Sequence, residues 1–282
     1  MKKLPLLLLL ILSSSLFSQN VEDSFVKEKK GNKGKMYVIW GWNRASYSNS
    51  DISFKGDDYN FTLKDVTARE KVIPFSFEKY LNPANITLPQ TNLRIGYFFH
   101  DNYTISFGYD HMKYVMHNYQ TVKIDGVINN GTMYDGVYSN EDILLTHDFL
   151  TFEHTDGLNY LNIELNRFDN LNELLKFDTG FMDVNLTEGI GGGIIFPKTN
   201  TTLMGSERYD EFNVAGYGLS AKVGLNLTFW DHFFIQSDYK VGYINMDNIR
   251  TTASESDSAS QDFTFFEATF MLGFRFQLIK QD

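Results

Sequence analysis

Residues 212–246 read FNVAGYGLSAKVGLNLTFWDHFFIQSDYKVGYINM. Every second residue from Ala215 is apolar or aromatic: Ala215, Tyr217, Leu219, Ala221, Val223, Leu225, Leu227 and Phe229. Between them lie Gly216, Gly218, Ser220, Lys222, Gly224, Asn226 and Thr228, all small or polar. Side chains alternate across a strand, so the segment has one greasy face and one polar face. After Trp230-Asp231-His232 the pattern resumes, with Phe233, Ile235, Tyr239, Val241 and Tyr243 opposite Gln236, Asp238, Lys240 and Gly242.

In a water-soluble sandwich the outer face is studded with charge. Here the polar face is rich in glycine and carries single, spaced charges, while the apolar face runs unbroken into aromatics. That points to the inverse arrangement, apolar residues toward lipid and polar residues toward a barrel lumen. A tilted strand crosses a bilayer in roughly 9–11 residues, a length both arms of this hairpin exceed.

The start of the chain fits export. Lys2 and Lys3 precede an apolar run, Leu4 to Leu12, and a small-residue end, Ser13 to Ser18. This reads as a signal peptide over residues 1–18 with cleavage near Ser18–Gln19, followed by a charged periplasmic lead-in over 19–34 and a barrel over 35–282. The apolar run is too short for a spanning helix, which needs about 20 residues. The net charge of -10 excludes a nucleic-acid binder, because phosphate contacts need a basic face. With no cysteine there is no disulfide framework. Aromatics reach 16%, which girdles at two membrane interfaces would explain.

The same alternation recurs in Asn92–Phe99, Tyr103–Met116, Asn159–Phe168, Leu175–Ile195 and Phe263–Ile279. Met36–Tyr47 alternates less cleanly. Its two sets, Tyr37, Ile39 and Gly41 against Val38, Trp40, Trp42 and Arg44, do not by themselves say which faces lipid, and the charge of Arg44 favours the second set for the lumen. The glycine run Gly189–Gly193 suggests a bend or bulge. No Gly-Lys-Ser/Thr follows it, so it is no phosphate loop, and no cofactor is expected; two histidines with carboxylates, as at His111 and His154, could equally hold a divalent metal. Residues 48–90 read as a large outer loop with room for short strands such as Asn60–Val66 and for a hairpin above the membrane, 117–158 as a second long loop, and 248–261 as a Ser-rich acidic one. Short turns near 101, 170 and 231 alternate with these. The expectation is an all-β fold, a single antiparallel up-and-down transmembrane β-barrel of about eight strands with long outer loops, in the outer membrane.

The polar faces supply five basic and five acidic candidates for the lumen: Arg44, Arg94, Lys222, Lys240 and Arg275, with Asp110, Glu164, Asp178, Asp238 and Glu267. An eight-stranded barrel is just wide enough for its side chains to fill. Buried charges need partners, so a plugged lumen held by ion pairs is expected. A porin, with about 16–18 strands, is not.

Two stretches could carry chemistry where loops meet strands: Tyr109-Asp110-His111-Met112-Lys113 and Phe152-Glu153-His154-Thr155-Asp156-Gly157. If the strands are neighbours, His111 and His154 would approach each other with Asp110, Glu153 and Asp156 as the surrounding acids. A histidine beside a carboxylate is a general-base pair. The whole pattern resembles the small bacterial outer-membrane β-barrel proteins. Gly273, Phe276 and Leu278 are similar to the terminal-strand signal that the barrel assembly machinery reads in that family. The resemblance implies contact with outer-membrane lipid and lipopolysaccharide and a monomer. His154-Thr155-Asp156-Gly157-Leu158 resembles, over fewer than ten residues, the motif of outer-membrane lipid A deacylases. Only His154 carries over, because Asp156 stands where that family has its nucleophilic serine.

Overall fold

The computed structural model describes residues 31–85, 89–177 and 180–277. The signal peptide and nearly all of the lead-in lie outside them, as do Asp178, Leu278 and Ile279. In chain order the strands are β1 (Lys35–Tyr47), β2 (Ser50–Lys55), β3 (Tyr59–Val66), β4 (Ala68–Arg69), β5 (Thr91–Phe98), β6 (Tyr103–Met116), β7 (Thr121–Ile128), β8 (Gly136–Leu144), β9 (Leu150–Asn170), β10 (Met182–Pro197), β11 (Asn200–Leu203), β12 (Gly216–Phe229), β13 (Phe233–Arg250) and β14 (Ser258–Gln277). A one-turn helix, α1 (Phe77–Leu81), lies between β4 and β5.

Eight strands close a ring, β1-β5-β6-β9-β10-β12-β13-β14, and β14 returns to β1 through thirteen antiparallel residue pairs from Lys35↔Gln277 to Tyr47↔Phe265. Closure leaves no sheet edge in the ring, which is what a strand structure in lipid requires. Outward side chains such as Ile95, Phe107, Ile163, Leu219, Leu225, Val241 and Phe270 are exposed and apolar. Their inward neighbours Arg94, Asn162, Lys222, Asn226, Lys240 and Glu267 are buried and polar. A closed barrel that is greasy outside and polar within is a transmembrane β-barrel. Phe99 and Tyr103, stacked at 6.3 Å, and Trp230, tilted against Phe181 at 6.1 Å, ring the short-turn end.

Above the lipid-facing belt the chain changes character. The outer end of β14 pairs with β2, β2 with β3, β3 with β7 and β7 with β8, so the same sheet continues out of the wall as a four-strand extension, the outer sheet. Its inward side chains, among them Ile52, Phe54, Phe61, Leu63 and Ile124, join Tyr114, Phe149, Phe152, Phe263 and Phe265 in one buried apolar cluster. The stretches expected to be loops therefore hold most of an outer extension, called the outer domain below, whose core is shared with the outer ends of the ring strands. The ring strands also reach further than expected: β9 begins at Leu150, β13 runs to Arg250 and β14 starts at Ser258.

Three other expectations are corrected. In β1, Tyr37, Ile39 and Asn43 are the buried inward set, and Arg44 is outside, 3.0 Å from Glu70. Its charge is met by the chain that comes down from β4, so it needs no lumen partner. Gly189–Gly193 forms no bulge, since β10 keeps an unbroken register with β12 from Met182 to Ile195. Its inward glycines make room: a Cβ on Gly189 would fall 2.3 Å from Asn166 Oδ1, and one on Gly191 2.7 Å from Glu164 Cγ. Finally, β10 begins at Met182, not Leu175. Residues 171–177 turn instead, because Asn172 accepts from the Val184 amide at 2.8 Å and donates to the Met182 carbonyl at 3.0 Å.

Candidate functional site

The lumen fills in three layers. Nearest the short turns, Tyr37, Ile39, Phe98, Phe168, Phe234 and Met271 pack together, with the rings of Tyr37 and Phe98 5.8 Å apart. The Arg275 guanidinium lies 5.5 Å over the Phe98 ring and donates to Asn32 Oδ1 at 3.0 Å. The gap among Tyr37, Phe98, Phe168, Phe234 and Arg275 is too small to admit a water molecule.

The middle layer is ionic. Strands β5, β6, β9, β12, β13 and β14 each send side chains inward at one level, because the ring strands keep period 2 through this part of the barrel, below the register shifts at Met112/Tyr114 and Met246/Ile249. Lys240 is shared by Asp110, by Glu164 at 3.0 Å and by Glu267 at 3.6 Å. Lys222 lies 2.9 Å from Glu164 and 3.1 Å from Asp238, and Arg94 bridges Asp110 at 3.1 Å and Glu164. Neutral side chains complete the carboxylates' bonds: Asn92 donates to Asp110 at 2.6 Å and to Glu267 at 2.9 Å, and Gln236 to Asp238 at 2.9 Å. Seven of the ten expected lumen charges thus form one buried network. Arg275 belongs to the layer below, Arg44 is outside the wall, and Asp178 lies outside the described residues. The top layer is the apolar core of the outer domain.

The expected pairing of His111 with His154 does not occur. Asp110 and His111 are consecutive on β6, so they face opposite sides of the wall. Asp110 enters the lumen network, whereas His111 Nδ1 sits 2.8 Å from Asn159 Oδ1, which also accepts from Tyr109 Oη at 2.7 Å. His154 lies opposite Tyr114 and turns into the apolar core, its ring 5.4 Å from Tyr114 and 5.0 Å from Phe152. The register shift between Met112 and Tyr114 takes up two extra β9 residues around Gly157 (φ +143°), an even number, so His154 stays on the inward face of Tyr160, Asn162 and Glu164.

His154 Nδ1 is 2.9 Å from the Thr199 hydroxyl. Full burial lowers the imidazole pKa to about 4, with a weak opposing pull from Gln261. Glu153 instead bonds Thr155 at 3.0 Å and lies 3.8 Å from Lys71, and Asp156 is half exposed, 3.9 Å from Lys198. The three acids expected around the histidines are therefore dispersed. Among the described residues, no three His, Asp or Glu side chains converge with metal-holding geometry.

Sequence reasoning missed an outer cleft of about 240 Å³, lined by Met116, His147, Thr151, Glu153, Asn200 and Arg208. Its residues come from three separate segments, and no spacing in the sequence ties them together.

No family model matches the chain, and no curated protein matches it in sequence. Solved structures similar to it are outer-membrane proteins. The outer membrane protein OprG from Pseudomonas aeruginosa is 11% identical, with a TM-score of 0.42 over 88% of this chain and 98% of that one. Ail, the attachment invasion locus protein of Yersinia pestis, is 13% identical, with a TM-score of 0.33 over 86% and 99%. Neisserial surface protein A is 11% identical, with a TM-score of 0.31 over 87% and 100%.

Proposed function

We propose that the chain is exported by its signal peptide to the outer membrane and works there as a surface-binding protein rather than a conduit. The observation that carries this reading is the filled interior: an aromatic layer without room for water, an ionic layer and an apolar core lie in series. What the barrel offers is its outer domain. The segments that build it, 50–66 and 121–148, carry Asp51, Asp57, Asp58, Asp65, Asp125, Asp135, Glu141, Asp142 and Asp148 against Lys55, Lys64 and Lys123. β8 ends the outer sheet, so one of its edges is unpaired there. An acidic sheet suits a cationic partner, by charge complementarity that salt weakens.

The test is binding of a polycation, poly-lysine, to the protein reconstituted in neutral phospholipid vesicles, beside a variant lacking residues 121–144. The expected result is binding that falls steeply with salt and drops in the deletion variant, which still migrates as a folded, heat-modifiable barrel. Equal binding by both proteins would contradict the reading.

One observation favours a second reading, acyl hydrolysis: His154 meets a hydroxyl, that of Thr199. Against it, His154 and Thr199 are fully buried and no carboxylate orients the imidazole. Lipid A from cells with and without the protein should show the same acyl pattern by mass spectrometry. A lost acyl chain would restore the enzyme.

A further inference from the structure

The outer domain rises from the lipid-facing belt, but one segment comes back down. After β4, Glu70 reaches the wall, where it takes the Arg44 guanidinium at 3.0 Å and the Ala45 amide at 3.0 Å. The chain then leads into α1, whose start is capped by the Ser76 hydroxyl accepting from the Lys79 amide. Tyr80, on α1, donates to the Ile73 carbonyl at 2.7 Å, and its ring lies 6.0 Å from that of Trp42. Trp42 belongs to the outward face of β1, on the same row as lipid-facing Phe270. The next outward residue of β1 is the charged Arg44. Trp42 is therefore the last aromatic of β1's outward face before Arg44, and α1 lies beside it, outside the wall.

This segment is built backwards for contact with water. Phe75 is 67% exposed and Phe77 73% exposed, and Val72 and Leu81 are exposed as well. The rings of Phe75 and Phe77 pack edge to face at 5.5 Å, and Phe75 and Tyr80 meet at 5.0 Å, so they form one patch continuous with Trp42. Lys71, which also reaches Glu153 at 3.8 Å, precedes it, and Lys79 lies within it beside exposed Glu78. Aromatic side chains with adjacent basic residues are the composition of the membrane–water interface.

We infer that residues 72–81 form an interfacial hook that inserts Phe75, Phe77 and Leu81 into the outer leaflet beside β1. The lipid surface is the occupant because the patch extends a face that already meets lipid. The hook would fix the depth and tilt of the barrel on the side where the outer domain leaves the wall. The inference rests on the membrane-barrel reading, and its test separates the two.

The chain has no cysteine, so single cysteines can be introduced and spin-labelled in the full barrel reconstituted in phospholipid vesicles. Phe77→Cys and Leu81→Cys report on the hook, Leu225→Cys on the belt, and Met133→Cys, at a site 88% exposed in the outer domain, on water. Collision with oxygen, which concentrates in lipid, is compared with collision with a water-soluble nickel chelate. The hook labels should resemble the Leu225 label, with oxygen contact several-fold favoured over the chelate relative to Met133. Chelate contact at Phe77 as high as at Met133 overturns the hook, as does low contact with both reagents, which would mean protein covers it. A Leu225 label open to the chelate would instead overturn the membrane-barrel reading itself.

Discussion

His154 is neutral and buried where an unfolded chain would let it titrate near its ordinary value of 6.5. Its pKa is lowered in the fold to about 4, so the unfolded state binds the extra proton as pH falls. The stability tied to its neutral form is therefore complete above about pH 6.5 and is lost progressively toward pH 4. At about 1.4 kcal/mol per pH unit the difference reaches about 3 kcal/mol. Urea unfolding of the refolded protein in detergent at pH 7 and pH 4, beside His154→Gln, isolates this term, because other groups cancel between the two proteins. The variant should lose less stability on acidification, and identical losses would show that His154 is not the buried base described. The lumen makes a second residue-scale test. Lys240→Met leaves Asp110, Glu164 and Glu267 short of their shared cation and should cost about 3–5 kcal/mol. Lys198→Met, on the outer surface, should cost less than about 1 kcal/mol. Melting temperatures that move equally would mean that the ionic layer is hydrated.

Among the elements, β10 shows how an inner face is shaped by what it lacks. A valine at Gly191 must displace Glu164 Cγ, 2.7 Å away, and the Ile163 carbonyl, 3.0 Å away. Overpacking of this kind costs about 1–3 kcal/mol, so Gly191→Val should lower the midpoint of unfolding in urea. Gly192→Ala points toward Leu219 on the lipid side, 3.2 Å from its Cδ2, and should be tolerated. If both variants behave alike, the glycines do not serve the ionic layer. The alternation that reveals β5, β6, β12, β13 and β14 is legible because each strand has lipid on one side and polar lumen on the other. It fails for β1, where inward Tyr37 and Ile39 join the aromatic layer and are as apolar as outward Val38 and Trp40. It fails again for β2, β3, β7 and β8, whose contrast is reversed, with Phe54, Phe61 and Ile124 inside and polar residues in water. Of these, Asn60–Val66 is readable as a short strand and is most of β3, while β2, β7 and β8, broken by Asp57-Asp58 and Asn129-Asn130, read as polar loop. The lumen charges were readable as a set because inward positions recur every second residue. The same parity places His154 with Glu164 inside and His111 opposite Asp110, so the alternation itself separates the two histidines, and nearness in strand order was no sign of a pair.

At the scale of the whole molecule, three different interiors follow one another along the barrel, and on the proposed reading each closes the passage for its own reason. The lower layer excludes water by packing, the middle one holds its charges in mutual bonds, and the upper one is apolar. The outer sheet then gives the sealed barrel a surface on the far side of the membrane. The central claim is that nothing passes, and it is tested most directly by conductance of the purified, heat-modifiable protein inserted in a planar lipid bilayer. The account predicts a current indistinguishable from that of the protein-free membrane. Discrete, reproducible current steps that scale with the amount of protein would contradict it.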